Sequence, residues 1–372
     1  MDITHSALRQ TVERVHTAVA ERRPLRLRGG GTKDFYRAGP DGELLDTRAL
    51  AGLISYEPSE LVVTARAGMD LAELQVLLAG QRQCLAFEPP HYGPGATVGG
   101  MVAAGLSGPA RASAGAVRDF VLGLELLNGQ GELLRYGGQV MKNVAGYDVS
   151  RLMVGAWGTL GLITEVSLKV LPLAPAEATL RFDCDQQQAL DWLNAWGGQP
   201  LPLNASRWQH EAGRGGHLYL RLRGAQAAVY AACERLGGER LEGVEADWLA
   251  CRDQLLPWFA RRAPGHALWR LSLPQTAPAL LLPEGCEGPL IEWHGGLRWV
   301  QAPPQLGGQL RQMAQDLGGN AICFRAASEG AASDTGGFDA YSGSALALLH
   351  ARLKKAFDPH GIFNPGRMSQ TW

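Results

Sequence analysis

Apolar residues near the start of the chain recur at the spacing of an α-helix. They fall three or four positions apart, at Leu8, Val12, Val15 and Val19. This period puts them on one face of a helix, so the pattern predicts an amphipathic helix over about the first twenty residues, which Pro24 ends. A second helix is predicted over residues 71–78, with Asp70 as its N-cap.

Short apolar or alternating runs predict the strands. In the first half of the chain they are residues 25–28, 44–46, 61–65, 121–127, 132–136 and 160–171. The runs at 121–127 and 132–136 flank Asn128-Gly129-Gln130-Gly131, a turn sequence that predicts a hairpin. Alternating stretches at 218–222 and 268–273 predict further strands.

The composition changes after residue 175. Residues 176–340 hold eight of the ten tryptophans, which indicates a second, α+β domain. A small-residue linker is predicted at 331–337, a last helix at 344–357 and a turn-rich tail at 358–367. We therefore divide the chain into domains at 1–175 and 176–340, with a C-terminal segment at 341–372.

Composition excludes several classes of protein. A hydrophobic content of 46% with 19% charged residues predicts a substantial core, and a net charge of −1 argues against nucleic-acid binding. No window of about 18 apolar residues predicts a membrane span. The six cysteines are scattered without metal-site spacing, which favours free thiols in a reducing compartment and excludes the usual zinc and iron–sulfur patterns. With a polar N-terminus, this predicts a cytoplasmic protein that contacts a membrane, at its inner face, only through partners.

Two glycine-rich segments are the main candidate chemistry. Three consecutive glycines, Gly29 to Gly31, expose consecutive backbone N–H groups, and Arg28 and Lys33 flank them with positive charge. Such a nest binds anions such as phosphate. A second segment runs from Gly95 to Gly100 and a third from 155 to 161, so the set predicts an extended phosphate-bearing ligand such as a dinucleotide. The alternative is that these glycine segments are ordinary tight turns that bind no ligand.

Two common nucleotide motifs are absent. The first loop lacks the third glycine of the Gly-x-Gly-x-x-Gly fingerprint, and the chain contains no Gly-Lys dipeptide for a Walker loop. The phosphate loop therefore belongs to another family.

Four motifs carry a resemblance to a known family. In chain order they are Arg-Gly-Gly-Gly-Thr at 28–32, Ala-Thr-Val-Gly-Gly at 96–100, Gly-Ala-Trp-Gly-Thr-Leu-Gly-Leu-Ile-Thr-Glu at 155–165 and Asp-Pro-His-Gly-Ile-Phe-Asn-Pro-Gly at 358–366. Together they resemble the flavoproteins of the vanillyl-alcohol oxidase and para-cresol methylhydroxylase (PCMH) family. The resemblance implies an α+β fold: a PCMH-type FAD-binding domain of two α/β subdomains, an α+β cap domain, and a C-terminal segment that returns to the FAD domain.

A closer resemblance is to the glycolate oxidase branch of that family. Residues 140–148 are similar to that branch, and residues 292–299 and the chain length are similar to its smaller flavin-binding subunits. This implies a FAD-binding subunit of a complex that oxidises glycolate to glyoxylate. The implied partners are a larger flavin-binding subunit and an iron–sulfur subunit, with that subunit or a quinone accepting the electrons.

The resemblance also implies the cofactor site. The expected FAD-binding residues are Arg28, Gly29, Gly30, Gly31, Thr32, Lys33, Ala96, Thr97, Gly99, Gly100, Ser107, Gly108, Gly158, Gly161, Ile163 and Asn364. Some relatives attach FAD through a histidine near the first or second glycine segment. Here no histidine lies between Gly29 and Gly42, and the context of His91 differs from an attachment signature, so we expect non-covalent FAD.

The catalytic residues stay open. Oxidation of a 2-hydroxy acid needs a cation for the carboxylate and a base for the hydroxyl proton. The candidates are Arg298, Arg270, Arg325 and Arg367 as cations and His294 and Tyr341 as bases, led by His294 and Arg298, although each is individually more typical of a structural residue. No metal site is predicted, because the histidines are well separated.

Three functions remain open at this point. The chain is a catalytic flavoprotein, a flavin-binding relay subunit without a substrate site, or a stand-alone FAD-dependent oxidase of another 2-hydroxy acid or a sugar-derived alcohol. Exposed tryptophans within residues 190–300 are candidates for a partner interface, and core packing explains them equally well.

Overall fold

The computed structural model describes residues 6–36, 41–138, 148–211, 215–328 and 345–369. Its helices are α1 (Ser6–Glu21), α2 (Leu71–Gly80), α3 (Val98–Ala104), α4 (Arg111–Ala114), α5 (Val149–Leu152), α6 (Gln186–Gly197), α7 (Gln226–Leu236), α8 (Glu245–Arg252), α9 (Pro257–Ala260), α10 (Gly307–Asp316) and α11 (Ala345–Phe357). Its strands are β1 (Leu25–Arg28), β2 (Glu43–Asp46), β3 (Leu53–Glu57), β4 (Val62–Arg66), β5 (Gln83–Cys84), β6 (Val121–Leu127), β7 (Leu133–Gly137), β8 (Leu162–Lys169), β9 (Leu171–Pro172), β10 (Ala176–Asp183), β11 (Leu203–Glu211), β12 (Gly215–Gly224), β13 (Glu239–Leu241), β14 (Ala267–Ser272), β15 (Glu287–Glu292), β16 (Leu297–Ala302) and β17 (Asn320–Arg325). The motif portion 140–147, the linker 331–337 and Tyr341 lie outside the described residues.

The described residues form two compact units. The first takes its residues from Met1–Leu106, Ala116–Leu173 and Thr335–Trp372, and the second from Ser107–Gly115 and Ala174–Asp334. Nothing in the sequence pattern separates Ser107–Gly115 from its neighbours. The domain boundaries drawn from the sequence stay a prediction.

One part of the first unit is built around α1 and a two-stranded parallel sheet. The predicted N-terminal helix is confirmed, and it buries Leu8, Val15 and Ala18. Strands β1 and β2 pair in parallel, with Leu25 opposite Glu43 and Arg28 opposite Asp46. The apolar face of α1 packs on residues of these strands in one core cluster, so β1 is held firmly up to Arg28.

A five-stranded antiparallel sheet forms the rest of the first unit. Its strand order is β3-β4-β8-β6-β7, and the predicted hairpin is confirmed as β6 and β7. Helix α2 is confirmed with Asp70 as its N-cap, because the Asp70 carboxylate accepts from the N–H groups of Ala72 and Glu73. Helix α3 was not predicted from the sequence. It packs in the same core cluster through Val98, Met101 and Val102.

The C-terminal segment belongs to the first unit. Phe363 forms a parallel bridge with Leu25, next to β1. The buried ammonium group of Lys354 donates to the Asp358 carboxylate (2.6 Å) and to the carbonyl oxygens of Thr159 (2.7 Å) and Phe363 (2.9 Å). This buried, fully hydrogen-bonded ion pair fixes the turn-rich tail in place.

The second unit contains an eight-stranded antiparallel sheet. Its order is β13-β10-β12-β11-β15-β16-β14-β17. The predicted strand at 218–222 is confirmed within β12, and the one at 268–273 is confirmed as β14, which ends one residue earlier, at Ser272. Helices α6 and α7 pack on strands β10 to β12 through one core cluster, and α10 packs on β14, β16 and β17 through another.

The tryptophans of this unit are core residues. None of those between 192 and 299 is exposed, and the buried ones are Trp208, Trp248, Trp269, Trp293 and Trp299. Core packing therefore explains the five buried tryptophans, Trp192, Trp196 and Trp258 are half-buried, and a partner interface formed by tryptophans stays a prediction.

Candidate functional site

The first unit contains a cavity of about 300 Å³ where its glycine-rich loops meet. Most of the residues expected at the cofactor line it: Arg28, Gly29, Gly30, Gly31, Thr32, Lys33, Thr97, Gly99, Gly100, Gly158, Gly161, Ile163 and Asn364. The fold thus brings together four segments that are far apart in the sequence.

The first glycine loop begins where β1 ends. Gly31 has φ +73°, a left-handed conformation that suits glycine. Within the described residues, the N–H groups of Gly29, Gly30, Gly31 and Thr32 donate to no protein acceptor. Four successive unpaired donors at a cavity wall form an anion-binding nest.

The second glycine segment closes against the first. An added Cβ atom at Gly30 would lie 1.6 Å from the carbonyl oxygen of Gly95, so the two loops touch backbone to backbone. Thr97 caps α3, because its hydroxyl accepts from the N–H of Gly100 at 3.2 Å. The Gly99 N–H donates to the carbonyl oxygen of Ala67 at 2.7 Å, which holds the start of α3 against the residue that follows β4.

The cavity wall carries an excess of positive charge. It includes Arg26, Arg28, Lys33 and Arg367, with Asp34 as its acidic side chain. The guanidinium of Arg28 donates to the Asp34 carboxylate at 2.6 Å, which orients it beside the loop. The buried Nε atom of Arg26 has no hydrogen-bond partner among the described residues. Sequence reasoning missed Arg26, although the alternation of β1 places it two residues before Arg28.

The C-terminal segment supports the part of the cavity wall that the loop at 155–161 forms. Asn364 accepts from the Leu27 N–H through Oδ1 and donates to the Trp157 carbonyl oxygen through Nδ2, both at 2.7 Å. Trp157 has φ +53°, a left-handed conformation that is unfavourable for a bulky residue and is held by these contacts. Its ring stacks on Tyr36 at 4.3 Å, and the guanidinium of Arg367 lies 5.2 Å from its centroid. Asn364 therefore joins β1 to the loop at 155–161.

Three expected cofactor residues do not line the cavity. Ala96 is buried, and its carbonyl oxygen accepts from the Leu71 N–H at 2.7 Å, so it supports α2 instead. Ser107 and Gly108 belong to the second unit, where the carbonyl oxygen of Gly108 accepts from Trp293 Nε1 at 2.9 Å.

Arg298 has a structural role in the second unit. Its side chain has no exposed surface, and its guanidinium donates to the carbonyl oxygens of Gly295, Pro278 and Ala277. Burial lowers the pKa of Arg298 to about 10. These donors are directed at the backbone, and the hypothesis that Arg298 holds a substrate carboxylate stays a prediction.

His294 is similarly enclosed. Its Nδ1 lies 3.0 Å from the Ser206 hydroxyl and its Nε2 lies 3.1 Å from the Ser113 hydroxyl. Burial lowers the pKa of His294 to about 4, so the imidazole is neutral at pH 7 and a weak base.

The other two candidate cations of this unit have protein contacts. The guanidinium of Arg270 lies 5.2 Å from the Trp293 ring centroid, and Nε of Arg325 donates to the Gln254 amide oxygen at 3.0 Å. No cluster of three or more metal-ligating side chains occurs in the described part of the chain. Among the same residues, no helix is long and apolar enough to span a lipid bilayer.

Comparison with known proteins gives three findings. Residues 6–137 match the family model of a FAD binding domain. The chain is 44% identical to the glycolate oxidase subunit GlcE of Escherichia coli (strain K12), over 96% of each chain. It is 32% identical to the glycolate oxidase subunit GlcD of Bacillus subtilis (strain 168), over 45% of this chain and 36% of that protein.

The fold is also similar to that of a solved structure. An alkyldihydroxyacetonephosphate synthase structure superposes with a TM-score of 0.64 at 15% identity, over 96% of this chain and 75% of that one. The predicted α+β class with a PCMH-type FAD-binding domain is confirmed.

Proposed function

We propose a function for this chain from the premise that it belongs to the family of the glycolate oxidase subunit GlcE. It is a FAD-binding subunit of a glycolate oxidase and thus a FAD-dependent oxidoreductase acting on CH–OH groups. Its substrate is a 2-hydroxy acid, glycolate, which the complex oxidises to glyoxylate.

The observation that carries the proposal is the donor set of the cavity in the first unit. A FAD pyrophosphate carries two negative charges and needs several hydrogen-bond donors. The N–H groups from Gly29 to Thr32 have no acceptor in the described residues, and the buried Nε of Arg26 has none. A buried donor without an acceptor, such as Nε of Arg26, costs free energy, and an anionic ligand that accepts from it and from the loop N–H groups is favoured. The residues present therefore fit the pyrophosphate.

We propose that the other lining residues of the cavity contact the remaining parts of FAD. Gly99 and Gly100 let the chain approach the pyrophosphate and flavin, and Gly158, Gly161 and Ile163 line the adenine–ribose end or the flavin edge. The described lining contains no histidine, and His91 is hydrogen-bonded to Gln75 at 2.8 Å. This supports non-covalent binding of FAD.

When bound, FAD accepts an electron pair from the substrate. The chain itself orients the cofactor and shields its phosphates. The family points to a multi-subunit complex. We propose that a larger flavin-binding subunit and an iron–sulfur subunit are the partners, with the iron–sulfur subunit or a quinone receiving the electrons. We also propose a cytoplasmic location, with membrane contact only through those partners. The six cysteines support it, because none of them forms a disulfide among the described residues.

A second candidate is a flavin-binding relay subunit whose substrate site lies elsewhere in the complex. The enclosed state of Arg298 and His294 favours it, because neither side chain is free to bind a substrate.

An anaerobic titration with glycolate separates the two. The FAD-loaded chain is titrated alone and again with its partner subunits, and the visible absorbance of its flavin is followed. Bleaching in the isolated chain supports a catalytic subunit, and bleaching only with partners supports a relay. A flavin that stays oxidised in both settings contradicts the proposed function.

A further inference from the structure

Helix α11 of the first unit carries its leucines on the outside. Leu346, Leu348 and Leu349 are 49%, 65% and 52% exposed. Of α11, which the structure describes in full, only Lys354 is buried, and it forms the ion pair with Asp358. An amphipathic helix normally buries its apolar residues and exposes its polar ones. This distribution is reversed in α11, so its solvent-facing side calls for an explanation.

Helix α1 of the same unit shows the normal distribution. It buries Leu8, Val15 and Ala18. Its exposed positions are polar apart from one alanine and carry both signs of charge: Ser6, Arg9, Gln10, Glu13, Arg14, His16, Thr17, Ala20 and Glu21. The exposed face of α11 consists of six apolar residues and two cations: Ala345, Leu346, Leu348, Leu349, Ala351, Arg352, Lys355 and Ala356. The reversed pattern is therefore a feature of α11 and not of every helix on this unit.

The exposed face of α11 is positively charged. The helix contains no aspartate or glutamate. Among the described residues, no ion pair or side-chain hydrogen bond engages Arg352 or Lys355. Lys355 lies in the last turn, where a cation also interacts favourably with the helix dipole, whereas Arg352 lies about one turn earlier. Both cations are available to a carboxylate from another molecule.

Arg352 lies between the leucines of this face. It follows Leu348 by four residues and Leu349 by three, so the period of the α-helix places its side chain between theirs. A helix that lies on a lipid bilayer buries an apolar face and keeps its cations on the opposite, polar face. A cation in the middle of the apolar residues instead suits a protein partner, which can place one carboxylate opposite it.

We propose that the exposed face of α11 is a docking surface for another subunit of the glycolate oxidase complex. The docked surface is apolar and carries a carboxylate opposite Arg352. This rests on the proposed function, because the occupant comes from the multi-subunit complex to which the family points. The leucines gain by leaving water, and they exclude water from the ion pair of Arg352, which is the setting in which an interface arginine contributes most. Lys355 adds attraction towards an acidic surface.

Calorimetric titration of the FAD-loaded chain with the purified partner subunits tests this surface. We expect Leu349→Glu to weaken the association by about tenfold or more, because it places a carboxylate against an acidic, apolar surface. Arg352→Glu should weaken it by a similar factor and reduce its dependence on salt. Arg352→Lys keeps the charge but not the planar fork, so an intermediate affinity is expected.

The matched control is Val76→Glu. Val76 is 73% exposed on α2 of the same unit, so this variant adds the same carboxylate to another exposed apolar position on a helix. It should bind the partner subunits like the unsubstituted chain. Flavin content and circular dichroism show that each variant is folded. If Leu349→Glu does not fold, Arg352→Glu decides in the same way, because Arg352 is exposed.

The outcomes are separable from those of the proposed function. Partner binding that is unchanged in Leu349→Glu or in Arg352→Glu, or weakened equally in Val76→Glu, overturns the surface even if glycolate reduces the flavin. Failure of the unsubstituted chain to bind either subunit overturns it as well. Binding to phosphatidylglycerol vesicles that Leu349→Glu abolishes, with partner binding intact, assigns the face to a membrane instead. Partner binding that requires Leu349 and Arg352, in a complex whose flavin glycolate does not reduce, upholds the surface and contradicts the function.

Discussion

Replacement of Gly30 by alanine tests the assignment of the first glycine loop. The new Cβ atom would lie 1.6 Å from the carbonyl oxygen of Gly95 and 2.5 Å from its carbonyl carbon. Both are backbone atoms, so no side-chain rotation relieves the clash. Because ordinary contact begins at 3.4 Å, the two loops must separate by about 1.8 Å, the difference between 3.4 and 1.6 Å.

This displacement moves the unpaired N–H donors away from the cofactor. A hydrogen bond to a charged acceptor contributes about 1.5–3 kcal/mol, so the loss of two costs about 3–6 kcal/mol. Since about 1.4 kcal/mol is a tenfold change in Kd, FAD affinity should fall by about a hundredfold or more. The second unit should keep its fold, because Gly30 belongs to the first unit.

The assay is a titration of the flavin-free chain with FAD, followed by visible absorbance and calorimetry. Gly80→Ala is the matched control, because it adds the same methyl group to the first unit at a position with no atom within 4 Å. Circular dichroism checks that both variants are folded. Full FAD occupancy with unchanged affinity in Gly30→Ala would refute the assignment of this loop to the pyrophosphate.

Three further predictions concern buried polar groups that affect the stability of the two units. Asn364→Ala removes two hydrogen bonds between cavity walls, so we expect a loss of about 1–3 kcal/mol of stability and weaker FAD retention, measured by urea unfolding and flavin content; unchanged values for both would contradict the bracing role. Lys354→Met strands the buried carboxylate of Asp358 and should cost about 3–5 kcal/mol by urea unfolding, whereas Lys355→Met at an exposed position should cost less than about 0.5 kcal/mol. Equal costs would show that the ion pair is unimportant. Burial raises the pKa of Glu292 from 4.5 to about 7 in the folded chain. Between these two pH values the unfolded chain has already lost the Glu292 proton while the folded chain keeps it, so the free energy of unfolding falls as the pH rises. The stability of Glu292→Gln relative to the unsubstituted chain should therefore increase by about 2–3 kcal/mol from about pH 5 to about pH 8, and a difference independent of pH would contradict the raised pKa.

Local sequence patterns predicted the elements whose signals are local. The period of Leu8, Val12, Val15 and Val19 predicts α1, and the cap at Asp70 predicts α2, because both depend on neighbours within a few residues. Helix α3 was missed because its two glycines have low helix propensity. Tertiary packing of Val98, Met101 and Val102 overrides that propensity.

The candidate site was predicted only in part for a similar reason. The glycine loops are visible in the sequence because consecutive glycines are unusual and their backbone chemistry is local. Arg26 could have been found from the alternation of β1, whereas Trp157 is held at the cavity by Asn364 of the distant C-terminal segment, a contact that single-sequence patterns do not encode. Arg298 is of a residue type that suits a substrate-binding cation, and its hydrogen bonds to distant carbonyl groups could not be read from the sequence.

A structure of the chain with bound FAD tests the central claim most directly. We expect the pyrophosphate to lie in the cavity of the first unit, with its oxygens within hydrogen-bond distance of the N–H groups from Gly29 to Thr32. We also expect Arg26 or Arg28 to lie beside the phosphates. A pyrophosphate bound away from this loop, or FAD bound outside this cavity, would contradict the assignment of the cofactor site.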